Sequence, residues 1–294
     1  MADFLIAGLG EILWDVLADS EEIGGAPVNF AYHAGALGAE AFAISTIGDD
    51  ERGRRAIAEL LTRGLNLESV SVDKDHATGF VEAKVDSQGV AHYIFPDDIA
   101  WDHLTLNERA LELAPKVDAV CFGTLAQRSE KSRAAISIFL DNAPQAMKIY
   151  DMNLRQNFYN EEIINRSLQK ADVLKLNDDE ISVVASMFGL NGDEKSILKV
   201  LHEKFTLKCS VLTRGGSGSL MLGQNKEIEN SGIYVDKITD TIGAGDSFTA
   251  AVAIGLLQGC TLESISKHAN ELAAYVCSCK GAMPPVPDRY TLIR

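Results

Sequence analysis

The sequence predicts an α/β fold in three layers, α/β/α, with a mostly parallel central sheet and a small β-sheet lid. Three observations carry this. Short apolar runs alternate with helical patterns along most of the chain, a rhythm that builds parallel sheets covered on both faces. One segment, residues 78–96, alternates apolar and polar positions instead, as a half-exposed hairpin does. No repeat, low-complexity tract or linker breaks the 294 residues, so 1–294 reads as one domain, with lid segments at about 12–23 and 72–100 inserted in the core.

The elements follow in order. FLIAGLG (4–10) is an apolar run bounded by glycine and reads as the first strand. PVNFAYHAGAL (27–37) has helical spacing and meets Gly38 where a left-handed residue closes a helix. AFAISTIG (41–48) is the next strand, and ERGRRAIAELLTRG (51–64) a helix ended by Gly64. VDAVCFG, MKIYDMN, VLKLN and CSVLTRG then read as buried strands, each followed by a helical pattern. The lid is predicted as an antiparallel flap, TGFVEAKVDSQGVAHYIFP, turning at Asp86-Ser87-Gln88-Gly89 and joined by ILWDVLAD (12–19).

Composition narrows the function. Hydrophobic content of 46% with 23% charged residues is that of a globular enzyme. A net charge of −15 argues against nucleic acid, whose phosphates demand clustered cations. No apolar run is long enough to cross a bilayer, and MADFLIAGLG lacks the basic start of a secretory signal, so a cytoplasmic protein is expected. The five cysteines lack Cys-x-x-Cys spacing and read as reduced thiols.

The chemistry concentrates in 240-DTIGAGDSFTAAVAIGLLQG-259. Gly243 and Gly245 free the backbone and clear the approach of a ligand, and the small-residue apolar run after them has helical spacing. Residues 243–246 therefore open a helix, whose N–H groups and dipole favour an anion. Asp246 would sit beside that anion. An acid there suits phosphoryl transfer to an alcohol, where it orients the hydroxyl and takes its proton late. It equally suits a first-turn cap, and the residues alone leave both open. GLGEIL begins a dinucleotide fingerprint but has Leu13 where the third glycine belongs, and no Walker A sequence occurs.

DTIGAGDSFTAAVA is similar to the C-terminal signature of the ribokinase-like sugar kinases, the PfkB carbohydrate kinase family. The stretch 24-GGAPVNFAYHAGALGAEAFAISTIGDD-50 resembles the family's other marker, and the likeness runs from Gly8 to Pro287. The resemblance implies an ATP-dependent kinase with Asp246 as base and Gly243, Ala244 and Gly245 as the anion hole. It implies a sugar held by Asp15, Gly24, Gly25 and Asn29, although Asn29 alone reads as an ordinary helix residue. The pattern 151-DMNLR-155 resembles the fructokinase and 2-keto-3-deoxygluconate kinase element, with Asn153 and Arg155 toward sugar or phosphate; a surface ion pair is the plain alternative for Arg155.

Asn177 and Glu180 form a capping-box pattern, to which the resemblance adds the nucleotide for Asn177 and Mg2+, through water, for Glu180. Thr213, Gly215 and Gly218 match the nucleotide loop, and Asn270 an adenine-side contact. Asp240 and Ile242 match carbonyl donors of a K+ loop completed by Lys280-Gly281, but Cys279 and Pro285 depart from the ribokinase pattern and leave K+ dependence open. The expected partners are a small sugar and ATP. Fructose, phosphorylated at O6, is favoured over 2-keto-3-deoxygluconate and ribose by DMNLR and 97-DDIAWDHL-104; a non-catalytic sugar-binding protein on the same fold is the remaining alternative. The lid offers a surface for homodimer pairing.

Overall fold

The apolar runs assemble, in a computed structural model describing residues 4–16, 20–85 and 91–291, into a central sheet. Among the described residues the sheet has nine strands, in the order Lys226–Asn230, Ser219–Gly223, Cys209–Thr213, Val173–Asn177, Met147–Asp151, Ala119–Phe122, Leu5–Leu9, Glu40–Gly48, Val70–Asp73. The strands from Cys209–Thr213 to Val70–Asp73 are parallel, and the first two join antiparallel. The hairpin between Ser219–Gly223 and Lys226–Asn230 turns on Gln224 and Asn225, both at positive φ (51° and 58°), the twist a two-residue connection needs.

The strand order reverses between Leu5–Leu9 and Ala119–Phe122. From Leu5–Leu9 the chain steps outward to Val70–Asp73, then returns to the other side. Such a switch point opens a crevice at the carboxyl ends of the two strands. The helix Ala244–Leu257 packs between Ala26–Ala36 and Leu262–Cys277 on one sheet face. Being enclosed, it is apolar almost all round, and Ala250, Ala251, Ala253 and Gly255 let its neighbours approach closely. The opposite face carries Glu130–Asp141, Glu161–Lys170, Asp178–Phe188 and Glu194–Lys204 over a second core.

The lid is a separate sheet in the order Glu21–Gly24, Leu13–Val16, Gly79–Val85, Ala91–Ile94. Its hairpin is antiparallel as expected, but Leu13–Val16 joins Gly79–Val85 in parallel. Both strands leave the same carboxyl edge of the central sheet, so they run side by side in one direction. The expected turn at Asp86–Gly89, and residues 17–19 of the first lid segment, lie outside the described residues. Gly79 is required where it stands, since a Cβ there would meet Trp101 Nε1 at 2.3 Å. The lid's return leg is pinned by a buried pair, Arg128 donating to both Asp102 oxygens at 2.7 and 2.6 Å.

Candidate active site

The turn at 243–246 is shaped by what lies behind it. Gly243 is the N-cap at φ 77°, and a Cβ on it would sit 2.3 Å from the Ala282 carbonyl oxygen, so no other residue fits. The first i→i−4 bond of the helix is donated by Ser247 N–H to Gly243 C=O at 2.8 Å. The amides of Ala244, Gly245 and Asp246 precede that ladder, Ala244 making a long 3.4 Å contact to Thr241 C=O.

Beneath Gly245 lies a cation. A Cβ on Gly245 would meet Lys175 Nζ at 3.1 Å. Lys175 donates to Asp151 Oδ1 at 2.9 Å, while Thr249 Oγ1, with a single proton to give, lies 2.7 Å from Asp151 Oδ2 and 3.0 Å from Gly245 C=O. Burial opposes the ammonium charge, but the Asp151 and Glu180 carboxylates prevail and raise its pKa. A fixed positive charge thus backs the turn and adds to the helix dipole where an anion would rest.

Asp15, Gly24, Asn29 and Asp246 lie in a contiguous row. Asn29 donates its side-chain amide to Asp246 Oδ2 at 2.8 Å. A Cβ on Gly24 would lie 3.1 Å from Asp15 Oδ2 and 3.9 Å from Asn29 Oδ1, so the missing side chain is what lets the two flank open space. Gly25 caps the Ala26–Ala36 helix at φ 118°, its Cβ position 2.3 Å from the Glu11 carbonyl oxygen. Burial, then the charge of Asp151, pushes Asp246 up to about 6, against Asn29, Lys175 and Arg155. Burial likewise lifts Asp15 to about 6. Asn29 Oδ1 and Glu11 Oε2 are buried with no partner among the described residues. Polar atoms left so are ready to receive ligand hydroxyls.

The remaining expected residues divide into two groups. Arg155 is exposed, and its charge lowers the pKa of Glu11, Asp15 and Asp246, which places it at the same crevice; Asn153 beside it is left-handed at φ 46°. Thr213 ends its strand at the same carboxyl edge, and Gly215 (φ 51°) and Gly218 (φ 92°) shape the turn that follows. Asp240 and Ile242 do approach the 280–281 loop, but through the Asp240 carboxylate, which accepts from Ile242 N–H at 3.0 Å and Gly281 N–H at 3.3 Å.

Asn177 and Glu180 make the capping box in both directions, and Glu180 Oε1 also accepts from Leu154 N–H at 2.9 Å. Glu180 is buried with each oxygen engaged, so it can reach a hydrated Mg2+ only through its remaining lone pairs. Asn270 is spent internally, donating to Ser219 Oγ and Ser266 C=O at 2.8 and 2.7 Å. Its donors are not free for a base. A cleft of about 470 Å³ opens beside residues 233–239, and none of Asp15, Asn29 or Asp246 lines it.

Three residues escaped the sequence reading. Lys175 is the lone charge in the apolar strand VLKLN, and that anomaly was a usable signal. Asp151 opens DMNLR, where only positions 153 and 155 were read. Glu11 is an acid directly after a buried strand, and burial with the Asp246 charge lifts it to about 7.

Asp246 thus stands in the first turn of its helix, accepting from Asn29 and backed by Lys175 beneath Gly245. The family model for pfkB family carbohydrate kinases matches residues 10–289, and the chain belongs to that family. Fructokinase-2 of Solanum lycopersicum is 26% identical over 310 residues, covering 96% of this chain and 93% of that protein. A 5-dehydro-2-deoxygluconokinase of Bacillus cereus is 25% identical over 276 residues, covering 89% and 82%. The crystal structure of an uncharacterized sugar kinase from Pyrococcus horikoshii shares the fold with a TM-score of 0.82 at 25% identity, covering 95% and 93% of the two chains.

Proposed function

We propose that this carbohydrate kinase transfers the γ-phosphoryl group of ATP to O6 of fructose. The observation that carries the reading is the position of Asp246, hydrogen-bonded to Asn29 on the sugar side and following Gly245 at the helix start. The sugar hydroxyl attacks the γ-phosphorus as the bond to the β–γ bridging oxygen breaks, its proton passes to the Asp246 carboxylate, and ADP leaves. Because such a transition state is loose, orienting the hydroxyl matters more than basicity. The amides of 244–246, backed by Lys175, steady the charge on the moving phosphoryl group. Asp15 and the unpartnered Asn29 Oδ1 grip sugar hydroxyls, and Arg155 offers a fork to sugar or phosphate oxygens. Magnesium, bound mainly by phosphates and water, would supply charge neutralisation, with Glu180 in its outer sphere.

Fructose is supported by the DMNLR pattern and by the name of the Solanum relative; the name of the Bacillus relative favours 5-dehydro-2-deoxygluconate as the second reading. An ADP-release assay over fructose, ribose, 2-keto-3-deoxygluconate and 5-dehydro-2-deoxygluconate decides between them. Fructose is expected to give the highest kcat/KM; a higher value for another sugar replaces it, and no turnover with any sugar removes the kinase assignment of the site. Repeating the assay with K+ exchanged for a bulky organic cation tests the 240–242 loop.

A further inference from the structure

Away from the crevice, four side chains meet where the lid hairpin leaves and rejoins the body. Asp73 ends the strand Val70–Asp73 and His76 lies on the leg running into the lid. Asp98 lies on the leg running out, at φ 58°, and His103 ends the short helix Ala100–His103. The legs touch through Ala100 N–H, which donates to Ala77 C=O at 2.8 Å.

Their polar atoms converge. His76 Nδ1 is 2.9 Å from Asp73 Oδ2, and Asp73 Oδ1 is itself fixed by the N–H groups of Asp75 and His76. His103 Nε2 is 2.7 Å and His76 Nε2 3.6 Å from one oxygen, Asp98 Oδ1. The imidazoles lie nearly parallel, centroids 3.5 Å apart at 13°. A neutral imidazole carries one N–H. If His76 spends it on Asp73, its Nε2 lone pair faces the carboxylate lone pair of Asp98 across 3.6 Å, a pairing that a cation between them would stabilise.

We propose that His76 Nε2, His103 Nε2 and Asp98 Oδ1 bind one transition-metal dication of the zinc type, clasping the two legs of the lid. Two imidazoles with a carboxylate suit zinc, nickel or copper far better than magnesium. The three donor atoms lie within 4.8 Å of one another. Tetrahedral bonds of about 2.1 Å set donors about 3.4 Å apart, and a metal lies in the plane of each imidazole it binds, so His103 must turn out of its stack on His76 as Asp98 swings to complete the set. That side chain is 75% exposed, which gives the ion an entry path and leaves the fourth position to water. Asp73 supplies the carboxylate that orients a metal-bound imidazole from behind.

Calorimetric titration of the chelator-treated full chain with Zn2+ tests this, beside His76→Ala, His103→Ala and Asp98→Asn. One zinc per chain is expected, with each variant losing at least about tenfold in affinity and Asp73→Asn about ten- to a hundredfold. The Co2+-loaded protein is expected to lack a sulfur-to-cobalt charge-transfer band, since the cysteines take no part. Far-UV circular dichroism identifies any variant that does not fold, and the exposed Asp98→Asn then carries the comparison. Zinc binding unchanged in the variants, a thiolate band, or no zinc uptake by the natural chain overturns the proposal.

Discussion

Asn29 and Asp246 are 217 positions apart, yet the amide of one donates to the carboxylate of the other at 2.8 Å. Each stands in the first turns of its helix, Ala26–Ala36 and Ala244–Leu257, and the two helices pack side by side. Packing of two helix starts is therefore what brings Asn29 to Asp246.

That bond favours the ionised acid, which is the form that accepts a proton. Because burial lifts Asp246 to about 6, kcat/KM should fall as pH drops through about 6. Asn29→Leu removes a donor to the anion, so the acid limb of the kcat/KM profile should move to higher pH. A limb that stays in place contradicts the coupling.

Lys175 and Asp151 form a buried pair under Gly245. Lys175→Met leaves Asp151 uncompensated, and a loss of about 3–5 kcal/mol is expected in denaturant unfolding. Lys175→Met with Asp151→Asn should recover much of that stability while kcat stays low. Recovery of both would reduce the cation to a structural part.

Glu11 carries a charge penalty that titrates. Its rise from 4.5 to about 7 corresponds to about 3 kcal/mol against the folded state once the group is ionised. The folded pKa lies above the unfolded one, so the penalty is absent below about 4.5, grows as pH rises, and is complete above about 7. Glu11→Gln should thus stabilise the protein at about pH 8 and far less at about pH 5. Equal unfolding free-energy differences at the two pH values would contradict this.

Gly24→Ala probes the sugar grip. The added methyl would stand 3.1 Å from Asp15 Oδ2 and push that carboxylate aside. A loss of about 1.4 kcal/mol, about tenfold in sugar Kd, is expected with the nucleotide KM unchanged. An unaltered sugar Kd would remove Asp15 from the grip.

Most of the fold was legible because its strands are buried on both faces and read as continuous apolar runs, and because Gly38 and Gly64 mark helix ends at φ 104° and 83°. The hairpin at 224–225 was not, since Gln-Asn lacks the glycine that advertises such a turn. The parallel lid pairing was hidden too, because alternation reveals which face is buried and not the direction of the partner. Within the site, Asp246 and its glycines were visible as local sequence. Lys175, Asp151 and Thr249 became a unit only when separate elements met beneath Gly245, as no spacing rule connects them.

The most direct measurement is single-turnover phosphorylation by Asp246→Asn, with sugar binding followed separately. A neutral amide keeps the shape and cannot accept the hydroxyl proton. The transfer rate should fall by about a hundredfold to ten-thousandfold while sugar Kd changes little. Transfer at the natural rate would show that the proton leaves by another route and that Asp246 only caps its helix.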